Sequence, residues 1–325
     1  MSVNKRPLII DCDPGIDDAV AIMLAQASGV FDIKAITAVA GNVLPQYTRE
    51  NARKLAALCG IDCIVAKGAP APLMTDIDTA DYIHGVDGLG GVILPETDKA
   101  FDPRPAWDVI YDEAVKANGE LEVAAVGPLT NIAILFRKYP DAPSLIKKLT
   151  IMGGGLTGGN HSAWGEFNIW EDALAADIVF RSEVELRMID LRACRWAKPD
   201  KESWHRGLAK RGPVIDKLRE MMAFDCTTLP EFIALRGELP PKDVENYVPT
   251  PPDAVTIAAM IDEDLFEYER HHVFIEVTGQ RTYGWTIVDY KNVLKAPLNC
   301  EIAVSCKPEK ITALYEKMFD YYEEK

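Results

Sequence analysis

The chain has no excess of basic residues: 35 Lys and Arg stand against 50 Asp and Glu, a formal net charge of -15. A nucleic acid or an anionic membrane needs a basic footprint, so neither is expected as a partner. Long apolar runs are also missing. The run at Leu8-Ile9-Ile10 is broken by Asp11, too early for a secretory leader, and no membrane-spanning stretch follows. The seven cysteines, at 12, 59, 63, 194, 226, 300 and 306, include no C-x-x-C pair. Their odd number and scatter predict reduced thiols in a cytoplasmic protein, not a disulfide framework. The five histidines, with His161, His205 and the pair His271-His272 among them, give no H-x-x-x-H, which removes a zinc site. Neither a G-x-S-x-G elbow nor a Walker or dinucleotide glycine motif is present, so serine-hydrolase and nucleotide-phosphate chemistry have no anchor.

What remains is a chain of 325 residues with 48% hydrophobic content, enough to bury one large core. Strand-like runs at Leu8–Ile10, Ile33–Val39, Ile64–Ala66, Glu122–Val126, Leu149–Met152 and Leu186–Ile189 alternate with helical segments such as Gln46–Cys59 and Thr130–Lys138. The βαβα order predicts a single α/β domain, residues 1–325, with a mostly parallel central sheet flanked by helices. Residues 190–252 break this rhythm with helical pieces such as Val214–Ala223 and Pro-rich runs, and are expected to form a helical cap with a mobile loop. Val273–Val277 and Trp285–Val288 read as a hairpin, and a helix over about Pro308–Tyr322 closes the chain.

The first strand ends in four carboxylates within eight residues: Asp11-Cys12-Asp13-Pro14-Gly15-Ile16-Asp17-Asp18. Like charges so close push protons onto one another unless a counter-charge arrives, and a hard cation with oxygen ligands supplies one. An EF-hand is excluded because the twelfth residue from Asp11 is Ile22 instead of a bidentate Glu. A helix follows the Pro-Gly turn, so the carboxylates sit at the carboxyl end of a strand, where open α/β sheets keep their ligands.

Other strands also end in Gly and a polar residue. Gly41-Asn42 ends the second strand and reads as an ordinary turn as readily as a ligand contact. Val126 precedes Gly127-Pro128-Leu129-Thr130-Asn131, where Thr130 can cap the next helix and the Val126 carbonyl is free to meet a cation. Asn160, Glu166 and Asn168 follow the Gly153–Gly155 run and mix donors and acceptors in a way that suits vicinal hydroxyls, or simply hydrates a loop. Asp253 reads first as the N-cap of the apolar segment Ala254–Ile261 and second as a further oxygen ligand. His84 lies in a Gly-rich loop able to approach a ligand.

The ordered set Asp11–Asp18, Val39–Asn42, Ile83–Gly85, Gly127–Asn131, Met152–Gly154 and Glu166–Ile169 resembles the inosine-uridine nucleoside hydrolase family, whose opening motif is D-x-D-P-G-x-D-D. The resemblance covers nearly the whole chain. It implies one Ca²⁺ held by Asp13, Asp18, Asp253 and the Val126 carbonyl at the base of a ribose pocket. Asp17, Asn42, Asn160, Glu166 and Asn168 would hold the sugar. The implied reaction is hydrolysis of a ribonucleoside's N-glycosidic bond, with Asp13 as the base that activates water, in a homodimer or homotetramer.

One position departs from the family pattern. Well-known members carry a His before the second metal-binding Asp to protonate the leaving base, and a purine-preferring branch carries a Trp there; this chain has Pro252. Leaving-group activation would then fall to His84, as a possible leaving-group contact, or to Asp225 or Tyr247 in the cap. Trp164 and Trp170 are candidates for the base pocket or for core packing. The alternatives to a nucleoside hydrolase are a Ca²⁺-dependent ribosyl-binding protein without turnover, and an enzyme for another N-ribosyl compound with a better leaving group.

Overall fold

In the computed structural model, which describes residues 5–235, 248–323 and 325 (the backbone alone for 226–235), the first apolar run is the central strand, β1 (Arg6–Cys12). The two-residue period of a strand sends Leu8, Ile10 and Cys12 into one hydrophobic layer and Ile9 into the other. Both faces of the strand are covered, which is why its sequence reads as a continuous apolar run.

Nine further strands follow among the described residues: β2 (Phe31–Ala38), β3 (Ile64–Lys67), β4 (Leu121–Ala125), β5 (Ile146–Met152), β6 (Leu186–Ile189), β7 (Phe266–His271), β8 (Val273–Ile275), β9 (Thr286–Val288) and β10 (Cys300–Cys306). Eight strands form the central sheet in the order β3-β2-β1-β4-β5-β6-β10-β7. All its pairings are parallel except β10 with the edge strand β7. β8 and β9 form the expected hairpin, with Val273 opposite Val288. The sheet winds outward in both directions from β1 and β4, and such a switch point opens a crevice at the carboxyl ends of those two strands.

The helices divide between the two faces. On one side lie α1 (Ile16–Ser28), α2 (Pro45–Leu58), α9 (Leu191–Trp196), α10 (Lys201–Leu208), α11 (Pro213–Leu235), α12 (Pro252–Ile261) and α13 (Pro308–Glu323). On the other lie α4 (Ala106–Ala117), α5 (Thr130–Lys138), α6 (Ala142–Leu145), α7 (Phe167–Glu171) and α8 (Ala173–Phe180). A short helix, α3 (Asp81–His84), stands at the crevice and touches α11. Helix α1 is buried along most of its length because it packs against both α12 and α13.

The segment expected as a cap supplies α9, α10 and α11. It is tied to the body: Trp204 of α10 is fully buried, its ring edge-on to Tyr315 and Phe319 of α13 at 5.0 and 5.5 Å. Gly207 permits this approach, since a Cβ there would lie 2.0 Å from the Phe319 ring. The expected mobile loop and Tyr247 lie outside the described residues. The six described cysteines are all free thiols, and no helix among the described residues is long and apolar enough to cross a membrane.

Strands β7 and β10 extend the sheet beyond what the sequence pattern suggested, and buried Arg187 of β6 fastens them. Its Nε donates to Glu301 of β10 at 2.8 Å, its Nη1 to Glu263 at 2.7 Å, and its guanidinium lies 3.9 Å over the Tyr268 ring of β7. The carboxylates stay partly in water, so what Arg187→Met removes is the guanidinium's charged hydrogen bonds and its stacking on Tyr268. It is expected to cost about 2 kcal/mol of stability, measured by urea unfolding.

Candidate active site

Where β1 ends, Asp13-Pro14-Gly15 turns into α1, and the first helical turn is organised by Asp18. Its Oδ2 accepts the Gly15 N–H at 2.8 Å, and its Oδ1 accepts the Asp13 N–H at 3.2 Å. Asn42, just after β2, joins this turn. Its backbone N–H donates to Asp13 Oδ2 at 2.7 Å, and its Nδ2 donates to Asp18 Oδ2 at 3.1 Å. Asn42 is thus a turn residue that also ties the two carboxylates together. Asp13 sits between the ends of β2 and β4 because two glycines leave room: a Cβ on Gly41 would be 2.2 Å from its Oδ2, and one on Gly127 2.4 Å from its Oδ1.

Asp253 completes the acidic group. It is not the N-cap of its helix, as the sequence suggested: Pro251 caps α12, Pro252 is its first residue, and Asp253 lies within the first turn. Proline suits that first position, where the missing N–H would have had no helical partner. Carboxylate oxygens of Asp17, Asp18 and Asp253 lie within 4.8 Å of one another. At that separation two charges repel by roughly 3.5 kcal/mol at an effective dielectric of 20, and three such pairs rival the whole net stability of a domain. Either protons or a cation must neutralise the group.

Without a cation the cost appears as displaced pKa values. Burial, then the charge of Asp17, pushes Asp18 up to about 7. Burial raises Asp13 and Asp253 well above the carboxylate range, reinforced by the neighbouring aspartates. The residues present fit a metal ion. Asp13 Oδ1 and Asp17 Oδ1 are buried without a hydrogen-bond partner, and the donor set is all oxygen. The Val126 carbonyl accepts Asn168 Nδ2 at 2.9 Å, which uses one of its two lone pairs.

The remaining sequence candidates surround a cavity of about 230 Å³ lined by Asp17, Asn42, His84, Val126, Asn160, Glu166, Asn168, Asp225 and Asp253, among others. Asn168 Nδ2 also donates to the Met152 carbonyl at 3.2 Å, fastening the ends of β4 and β5 together. Glu166 caps α7, accepting the N–H groups of Asn168, Ile169 and Gly154. Burial outweighs those bonds and pushes its carboxyl up to about 7. Asn160 Oδ1 accepts the Phe167 N–H at 2.9 Å. His84 Nδ1 accepts the Ile16 N–H at 3.2 Å, which fixes its ring proton on Nε2, and burial lowers its pKa. Asp11 does not line the cavity. Thr37 and Asn131 donate to its Oδ1, and burial pushes it up to about 7.

One sequence reading is corrected and one open choice is decided. Thr130 does not cap α5; Leu129 holds that position, and the Thr130 hydroxyl donates to Asp172 at 2.8 Å. Trp164 packs on Trp285 and Trp170 on His161 and Tyr283, and neither indole lines the cavity. The cavity is also lined by His161, which the sequence offers only as a rejected zinc ligand, and by Met222, whose one signal is the hydrophobic face of α11.

An acidic, metal-capable cleft at the switch point of a doubly wound sheet, walled by amides and carboxyls, defines a site for a polyhydroxylated small molecule. Comparison with known proteins narrows the class. The family model "Inosine-uridine preferring nucleoside hydrolase" matches residues 8–313. The chain is 35% identical to the pyrimidine-specific ribonucleoside hydrolase RihA of Photobacterium profundum, over 98% of this chain and all of that one. It is 34% identical to RihA of Escherichia coli O7:K1, over 97% and 99% of the two chains. Among solved structures it superposes on a purine-preferring ribonucleoside hydrolase from Gardnerella vaginalis with a TM-score of 0.87 and 27% identity, covering 98% and 100%. The plant nucleoside hydrolase PpNRh1 gives a TM-score of 0.87 at 25% identity, covering 97% and 99%. The chain belongs to the inosine-uridine preferring nucleoside hydrolase family. Its reaction is that of an N-glycosidase, the hydrolysis of a ribonucleoside to base and ribose.

The raised carboxyls give a linkage with a definite sign. In chelator, Asp18, Asp13 and Asp253 hold protons when folded that the unfolded chain has released above about pH 4. Stability therefore falls as pH rises from about 4 to 7 and beyond. With EDTA the melting temperature is expected to be higher at pH 5 than at pH 8, and CaCl₂ is expected to restore it at pH 8; thermal unfolding checks both.

Proposed function

We propose that the chain is a Ca²⁺-dependent ribonucleoside hydrolase in which Asp13 takes the proton from the attacking water. The observation that carries this reading is Asp13 itself: fully buried at the switch point, with Oδ2 fixed by the Asn42 N–H and Oδ1 buried without a hydrogen-bond partner, an acceptor that a cation or a water proton would satisfy. Asp13, Asp18, Asp253 and the Val126 carbonyl would hold the ion. When bound, Ca²⁺ would supply the positive charge that neutralises these carboxylates and makes a nearby water more acidic.

The chain's own groups do the rest. Asp17, within the acidic group, and the Asn42 amide oxygen beside it can accept from ribose hydroxyls. Asn168 has committed its amide donors to the Val126 and Met152 carbonyls, and Glu166 accepts three backbone N–H groups, so each presents its remaining acceptor capacity from a fixed position. Asn160, held by Phe167, adds another amide. A sugar fixed by such groups meets the water in one orientation, which lowers the entropic part of the barrier. As the C1′–N bond stretches, positive charge grows on the ribosyl ring, and the surrounding carboxylates and amide oxygens stabilise it. Cytoplasmic residence and a homodimer or homotetramer belong to the same proposal.

The direct test incubates the protein with a panel of purine and pyrimidine ribonucleosides and measures free ribose, with CaCl₂ and with EDTA. Release that EDTA abolishes is expected. Tight calorimetric binding without release from any substrate would favour a binding protein instead. Asp13→Asn keeps an oxygen ligand but removes the base. It is expected to retain the CaCl₂-dependent rise in melting temperature while kcat falls at least about 100-fold; near-normal turnover would remove Asp13 from that role.

A further inference from the structure

A nucleobase leaving with the glycosidic electron pair becomes an anion unless a proton reaches it as the bond breaks. The cavity wall at Pro249, Thr250, Pro251 and Pro252 has no acid to give. His84 does not serve well: its Nδ1 accepts the Ile16 N–H, and giving up the Nε2 proton would leave an imidazolate. His161 turns Nε2 toward Asp78 Oδ2 at 3.3 Å. Glu166 is pinned by three backbone N–H groups at the strand ends, on the ribose side of the proposed site, and Asp17 and Asp253 belong to the acidic group.

Helix α11 supplies a different wall. Met222 and Asp225 are three residues apart, hence on one helical face, and both line the cavity. α11 packs against α1 and α3, the elements that carry Asp17 and His84. Asp225 is therefore a carboxyl that reaches the substrate space from an element separate from the strand ends. It is half-buried, and burial with the nearby charge of Asp17 pushes it up to about 7, so much of it carries a proton near neutral pH.

Resting on the ribonucleoside-hydrolase reading, we propose that Asp225 is the catalytic acid that protonates the departing base. The C1′–N bond breaks with its electron pair on the base nitrogen, and the Asp225 proton passes to a basic ring nitrogen or oxygen of the base. Water adds to C1′, loses one proton to Asp13 and keeps the other as the 1-hydroxyl of ribose. Solvent exchange returns a proton from Asp13 to Asp225, so the net reaction is nucleoside plus water to base plus ribose.

The test compares nucleosides with p-nitrophenyl β-D-ribofuranoside, whose leaving group is stable as an anion and needs no proton. For Asp225→Asn, kcat/KM on inosine and uridine is expected to fall at least about 100-fold, while the nitrophenyl riboside stays within about threefold of the unaltered protein. Asp225→Glu, which restores a carboxyl, is expected to recover part of the nucleoside activity. Equal losses on both substrates would mark Asp225 as structural and overturn the proposal. Undiminished nucleoside cleavage in Asp225→Asn, or no recovery in Asp225→Glu, would overturn it as well. If the unaltered protein cleaves neither nucleosides nor the nitrophenyl riboside, the hydrolase reading itself fails, a result distinct from any of these.

Discussion

Asp13, Asp18 and Asp253 reach almost complete burial, and each feels the charge of neighbouring aspartates. In a protein interior that repulsion is worth several kcal/mol per pair, comparable to the whole stability of a domain. The arrangement persists because the backbone forces it. Asp18 holds the first turn of α1, Asn42 ties Asp13 to Asp18, and the glycines at 41 and 127 leave space for one carboxylate and nothing larger. A protein that assembles such a group keeps a standing demand for positive charge, and that demand is its capacity to bind a cation.

The sheet topology turns this local strain into a site. Winding outward from β1 and β4 leaves their carboxyl ends unobstructed, and the acidic turn, Asn42, Val126 and Met152 all arrive at that opening from different strands. Asn168 and Glu166 then act as braces. Each spends its hydrogen-bonding capacity on strand ends and helix termini, so the groups left facing the cavity are rigid. Rigid acceptors around a developing cation are worth more than mobile ones because they need no reorganisation as the bond breaks.

Much of this was legible in the residue order. The apolar runs that became β1 to β6 were each bounded by polar turns, and the strand ends with Gly plus a polar residue marked the crevice. β7 escaped notice because it is an edge strand whose Glu267 and Glu269 face solvent, and a charged edge does not read as a strand. β10 pairs with β6 across more than a hundred residues, a contact no local pattern announces. Asp253 was misread as a cap because Asp before an apolar helix has that meaning locally; two prolines moved the cap upstream and turned Asp253 toward the acidic group. Trp164 and Trp170 were ambiguous for a similar reason: an indole is equally at home in a core or a pocket, and only its neighbours decide.

The sequence by itself determined the acidic turn, the alternation that builds a parallel sheet and the ordered polar blocks that mark the family, because these depend on spacing along the chain. Tertiary structure alone decided which carboxylates confront one another, which amides were spent as braces, and that a carboxyl on α11 reaches the cavity at all. Those outcomes depend on distances between residues tens to hundreds of positions apart, and burial, which shifts every pKa in the site, is a property of the packed chain.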